Sequence, residues 1–163
     1  ESRLLPDVTR FFGAAAAPGQ RLEQGSVAAL VLPFQPLDQY DRLLWTCDCN
    51  FVRGEDSFVR AQWARRPFVW NIYPQEGGAH WTKMHAFVDR YTQDISAEAA
   101  AATREFWRLW NRGETSAAIM SKAWRRFRAA AAELNAHADT WADRLLAQGD
   151  LGSNLVRFVA ARL

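Results

Sequence analysis

The sequence predicts an α/β protein: a small parallel sheet packed with helices, followed by an all-helical C-terminal half. Three observations carry that expectation. Apolar runs of strand length at residues 26–33, 49–52 and 68–73 alternate with helical patterns, the arrangement that builds parallel sheets. From Ala97 onward, alanines, arginines and aromatics recur at helical spacing with few breaks. And 163 residues, 49% hydrophobic and 23% charged, suffice for one domain with a real core.

The elements follow in order. Residues 4–12 form a short amphipathic helix, with Pro6 early and Gly13 just beyond. Residues 14–24 are an Ala/Pro/Gly connection. Residues 26–33 (SVAALVLP) are the first strand. Residues 38–48 read as a helix that Asp38 can cap, with Tyr40, Leu43, Leu44 and Cys47 along one side. Residues 49–52 are the second strand, Arg53-Gly54-Glu55-Asp56-Ser57 the turn after it, and residues 58–65 the next helix. Pro67 ends that helix, because proline cannot continue it. Residues 68–73 (FVWNIY) are the third strand, aromatic and β-branched. After a loop at 74–78, residues 79–91 are an amphipathic helix. The helical half from Ala97 is expected to break near residues 111–113 and 148–150.

Three strands make a narrow sheet. Together with an opening Glu1 instead of Met, that leads us to read residues 1–163 as one incomplete domain of a longer protein, with earlier strands elsewhere. Eight Trp and ten Phe predict an aromatic-rich core, since each ring buries a large area. A formal net charge of +2 argues neither for nucleic acid nor for a membrane surface. No apolar run approaches the ~20 residues that span a bilayer. Cys47 and Cys49 are expected to be buried thiols sharing a strand face in a reducing cytoplasm. His80, His85 and His137 are scattered, so no metal site is expected.

The segment with the densest chemistry is the strand–RGEDS–helix at residues 49–64. In open parallel sheets, ligands bind beyond the carboxyl ends of the strands, and this turn lies there. Gly54 permits a tight turn and a close backbone approach. Ser57 reads either as the cap of the following helix or as a hydroxyl offered to a phosphate. Free N–H groups and the positive dipole end at that helix start suit a diphosphate. Arg53 adds a fixed forked cation. Glu55 and Asp56 would repel phosphate and suit hydroxyls of ribose, sugar or acceptor. The bare pattern fits a ligand site and a merely capped helix equally, because strand–Gly–helix turns are common. Phe34 and Tyr40, after the first strand, either hold a flat base between rings or belong to the core.

The stretch LPFQPLDQYDRLLWTCDCNFVRGEDSFVRAQWARRPFVWNIYPQ, residues 32–75, closely resembles the protein-arginine rhamnosyltransferases of elongation factor P. The resemblance continues through Ala79-His80, residues 86–91, residues 149–151 and residues 154–159. It implies a Rossmann-like C-terminal domain of a GT-B glycosyltransferase, two such domains facing each other across a cleft. It also implies an inverting transfer of L-rhamnose from dTDP-β-L-rhamnose to one arginine of elongation factor P, in the cytoplasm, with no cofactor or metal. By the same resemblance, Phe34 and Tyr40 match aromatic positions around the thymine. Arg53, Gly54, Asp56 and Ser57 match the donor-binding turn. Glu55 matches an acidic position needed for activity. The family often has Gln where Leu37 stands, so a base-edge hydrogen bond is lost here or supplied by Gln35 or Gln39. The family's catalytic aspartates lie in a Gly-rich segment of the N-terminal domain that this sequence does not contain. The chain is therefore expected to hold donor determinants, to lack the general base and to be inactive alone. The rival readings are a GT-B enzyme for another nucleotide sugar and a non-catalytic nucleotide- or partner-binding module.

Overall fold

The computed structural model describes residues 4–113 and 115–162. They divide into two compact units, Glu1–Tyr40 and Asp41–Leu163.

The first unit opens with α1 (Leu5–Phe12). Pro6 sits in its first turn and Gly13, at φ +65°, stops it in the left-handed region that glycine favours. β1 (Arg21–Gln24) and β2 (Val27–Leu30) follow as an antiparallel hairpin with Gln24 opposite Val27. This corrects two expectations. Residues 14–24 are not all connection, and the run at 26–33 does not join a parallel sheet. Gly25-Ser26 supplies a two-residue hairpin turn, with Gly25 at φ +59°, so the apolar run folds back on the polar segment before it.

α2 (Leu37–Thr46) spans the boundary between the units. It starts at Leu37, which makes Asp38 a first-turn acid and not the cap; there it still favours the positive end of the helix.

The second unit is built on one β-α-β crossover: β3 (Asn50–Arg53), α3 (Glu55–Trp63) and β4 (Phe68–Asn71). The strands pair in parallel, Asn50 opposite Phe68 through Arg53 opposite Asn71. The parallel sheet thus has two strands among the described residues, not three. α3 stops two residues before the expected end. Arg65 takes φ +55° and turns its guanidinium onto Asp143, 2.5 Å away. A short 3-10 turn, Glu76–Gly78, leads into α4 (Ala79–Tyr91), whose bounds are those expected. Then come α5 (Ala97–Arg112), α6 (Ala117–Ala129), α7 (Ala131–Ala147) and α8 (Leu151–Ala160).

Side-chain caps start α5, α6 and α8: Ser96, Ser116 and Asp150 accept from the N–H groups of Ala99, Ile119 and Ser153. The expected breaks near 111–113 and 148–150 are present. One more, at Ala130, separates α6 from α7. It lies in a run of alanines with no Gly or Pro, so packing of α6 and α7 on their neighbours sets it.

The core is a chain of rings. Phe58 of α3 stacks on Trp70 of β4 at 4.0 Å. Phe68 meets Tyr91 of α4 at 5.3 Å and Trp107 of α5 at 5.4 Å. Trp141 of α7 closes on Tyr91 at 5.2 Å. Phe68, Trp70, Tyr91, Trp107 and Trp141 are all buried, each contributing roughly 1.5–3 kcal/mol or more from area alone. Phe51 points the other way from β3 and joins Trp110, Trp124 and Phe106 in a second aromatic cluster. The aromatic composition is therefore spent mainly on packing.

The cysteines depart from expectation. Both precede β3. Cys47 is exposed, and only Cys49 is partly covered. The turn out of α2 carries Cys47 outward before the strand alternation begins. Burial pushes the Cys49 thiol up to about 12. No described helix is long and apolar enough to cross a membrane.

Candidate functional site

The site is the turn at the carboxyl end of β3. Its conformation demands glycine. Gly54 has φ +80° and ψ 179°, a combination costly for any residue with a β-carbon. Space forbids a side chain as well: a Cβ there would lie 2.7 Å from Cε2 of Tyr73. The Gly54 carbonyl accepts from the Trp70 indole N–H at 3.0 Å, and the Gly54 N–H donates to the Asn71 carbonyl at 3.4 Å. The turn is thus pinned to β4.

α3 begins at Glu55, with Gly54 as its cap and no side-chain cap bond. Ser57 is the third helical residue and not the cap, which corrects one of the two sequence readings. The reason is the glycine turn, which brings the backbone into helix three residues earlier. The N–H groups of Glu55, Asp56 and Ser57 consequently have no intrahelical acceptor and no capping side chain. The first closed turn is Phe58 N–H to the Gly54 carbonyl at 3.3 Å.

Arg53, the last residue of β3, lays its guanidinium over the Tyr73 ring, 4.8 Å from the centroid. Its Nε is buried and has no hydrogen-bond partner among the described residues. Buried donors are rarely left so. Asp56 is 76% exposed and bound by Arg60, one turn on, at 3.1 Å. Arg60 also grips both oxygens of Asp41 on α2 at 3.0 and 2.9 Å. Glu55 is exposed.

Arg53, Gly54, Glu55, Asp56 and Ser57 are therefore brought together at one sheet edge, with a cation, a row of open N–H groups and a hydroxyl. Phe34 and Tyr40 belong to the first unit. Phe34 is 97% exposed, which removes the reading of it as core; Tyr40 is half-buried in the first turn of α2. Among the described residues no three His, Cys, Asp or Glu side chains cluster in the manner of a metal site. A surface cleft of about 420 Å³ lined by Trp45, Trp63, Arg65 and Arg66 sits at the C-terminal end of α3, away from this turn.

Three contributors escaped the sequence reading. Tyr73 follows β4 at the same sheet edge, so its position after a strand was a usable signal. Asn111 acts as a third strand. It donates to the Trp70 carbonyl at 2.8 Å and accepts from the Ile72 N–H at 3.0 Å, closing the free edge of β4. The Asp41–Arg60 pair joins residues 19 apart and left no local signature.

An open-sheet β-α-β unit with an anion-ready helix start beyond its strand is the architecture of a nucleotide-binding domain, and this one matches the C-terminal domain of a GT-B glycosyltransferase. A solved structure concerned with EarP-mediated arginine glycosylation of translation elongation factor EF-P superposes with a TM-score of 0.83 at 40% identity, covering 100% of this chain and 50% of that one. The model of the family Elongation-Factor P (EF-P) rhamnosyltransferase EarP matches residues 1–160. Protein-arginine rhamnosyltransferase of Pseudomonas putida is 48% identical over 159 residues, 97% of this chain and 41% of the relative. That of Pseudomonas aeruginosa is 43% identical over 161 residues, 98% of this chain and 42% of the relative. That of Shewanella oneidensis is 38% identical over 145 residues, 89% of this chain and 36% of the relative. The chain belongs to the EF-P rhamnosyltransferase EarP family. It spans roughly two-fifths of the length of these bacterial relatives.

Proposed function

We propose that this chain is the donor-binding part of an inverting glycosyltransferase. The full-length protein transfers L-rhamnose from dTDP-β-L-rhamnose to an arginine of translation elongation factor P. The observation that carries the reading is the set of groups gathered at the head of α3: the Arg53 guanidinium over Tyr73, three backbone N–H groups with no capping side chain and the Ser57 hydroxyl. They suit the diphosphate of a nucleotide sugar. Membership of the family supports rhamnose as the sugar and an arginine of elongation factor P as the acceptor.

In this reading Phe34 and Tyr40 flank the thymine. Arg53, Gly54 and Ser57 hold the diphosphate, and Asp56 takes a ribose hydroxyl. Glu55 supports activity from the first helical position, facing sugar or acceptor. The bond between the anomeric carbon and the diphosphate oxygen breaks as the bond from the arginine nitrogen forms on the opposite face. Arg53 and the helix start stabilise the departing dTDP. The guanidinium proton passes to an aspartate outside this chain, so residues 1–163 alone do not catalyse transfer. The reading invokes no cofactor and no metal, since Arg53 and the helix dipole meet the phosphate charge. It places the enzyme in the cytoplasm beside elongation factor P, with neither nucleic acid nor membrane as partner.

Calorimetric titration of dTDP-β-L-rhamnose, dTDP and UDP into the full-length protein tests it. Selective binding of the dTDP compounds is expected. Equal affinity for UDP would reassign the donor, and the absence of nucleotide binding would sink the proposal.

A further inference from the structure

We infer that Arg60 is a positioning residue of the donor site: anchored by Asp41 of α2, it holds the Asp56 carboxylate at the head of α3 and offsets part of its charge. The inference rests on the reading of Asp56 as a donor contact.

The geometry is asymmetric. Arg60 donates from Nη1 to both oxygens of Asp41, at 3.0 and 2.9 Å, and from Nε to Asp56 at 3.1 Å. The Arg60 and Asp41 side chains are 26% and 30% exposed, whereas Asp56 is 76% exposed. An exposed carboxylate paired one turn along its own helix is ordinarily held weakly. Here the guanidinium arrives already oriented, because the half-buried Asp41 fixes it from another helix. Asp56 is left with one edge tied and the rest open to a ligand. Arginine suits the task because two differently directed N–H groups serve two carboxylates at once, which one ammonium nitrogen does less well.

Charge gives the arrangement a second use. Glu55 and Asp56 stand at the helix start whose N–H groups are open to an anion. Without Arg60, a diphosphate would meet both carboxylates uncompensated. With it, Asp56 keeps its hydrogen-bonding oxygens while part of its charge is offset by the guanidinium it shares with Asp41.

The test uses the full-length protein with Asp56→Ala, Arg60→Gln, Arg60→Lys and the double variant Asp56→Ala/Arg60→Gln. Titration of dTDP is paired with steady-state kinetics on elongation factor P. Arg60→Gln is expected to weaken dTDP about 5- to 10-fold, the scale of a lost charge-assisted contact. It should raise the KM for the sugar donor and leave that for elongation factor P unchanged. The double variant should bind within about twofold of Asp56→Ala alone, because Arg60 acts through Asp56. Arg60→Lys keeps the charge and helix propensity, so it reports even where Arg60→Gln fails to fold; about a threefold loss is expected from its poorer geometry. Additive losses in the double variant, or wild-type dTDP affinity in a folded Arg60→Lys or Arg60→Gln protein, would overturn the inference. Unchanged affinity in Asp56→Ala would instead overturn the reading of Asp56 on which it rests.

Discussion

The head of α3 and the packed helices α4–α7 use their polar groups in opposite ways. In the helical half, polar side chains tie elements together. Ser96 caps α5 while Glu133 of α7 accepts from its hydroxyl at 2.8 Å, and Asn111 spends both ends of its amide on backbone. Unpaired atoms do remain there: the Trp107 indole N–H, the Tyr91 hydroxyl and His137 Nε2. They are buried beside rings, with Tyr91 4.7 Å from His137 and 5.2 Å from Trp141, and His137 also lines a surface cleft with Asp94, Glu133 and Arg144. At the head of α3 the unpaired donors stand at a sheet edge beside exposed carboxylates. Unpaired polar atoms are thus scattered among packed rings in one region and gathered at one sheet edge in the other.

Substitutions should separate the two regions. The largest effect is expected for Trp107→Ala, which empties the centre of the aromatic chain: a loss of about 3–5 kcal/mol in unfolding free energy, read from urea denaturation. A loss under about 1 kcal/mol would mean that the rings at this point are not the main support. Ser57→Ala should show the reverse signature. Affinity for dTDP falls by about 1–3 kcal/mol, while stability stays within about 0.5 kcal/mol; a stability loss without an affinity loss would turn the hydroxyl into a structural group. The smallest effect sharpens the helical side. Burial lowers the His137 pKa from its ordinary 6.5, against raising contributions from the Tyr91 backbone, Asp94 and Glu133. The unfolded chain then binds the proton more readily than the folded one. Stability is full above pH 6.5 and is lost as pH falls through the lowered folded value. His137→Gln should flatten the change in urea midpoint between neutral and mildly acidic pH, and a profile as steep as before would assign the slope to other groups.

Much of this was legible along the chain. The β3–α3–β4 crossover showed as alternating apolar and helical runs, and α4 fell on its expected residues because its amphipathic period is uninterrupted. The RGEDS turn was recognisable from Gly54 alone, the one residue that φ +80° allows cheaply. The β1–β2 hairpin was missed, although Gly25-Ser26 is a hairpin signal. Arg21, Glu23 and Gln24 are weak strand formers, and pairing rather than propensity makes them a strand. The cap of α3 was placed three residues late because Ser57 looks like a capping residue, while the backbone at Gly54 enters helix before it.

The sequence by itself determined the α/β class, the family and the residue types gathered at the turn between β3 and α3, because each follows from period, composition or a contiguous motif. Tertiary structure decided the rest. It set Tyr73 against Gly54 and under Arg53, closed β4 with Asn111, broke the alanine run at Ala130, and joined Asp41 to Arg60. These are contacts between residues distant in the chain. Their energies depend on where whole elements come to rest, and no local pattern of residues records that.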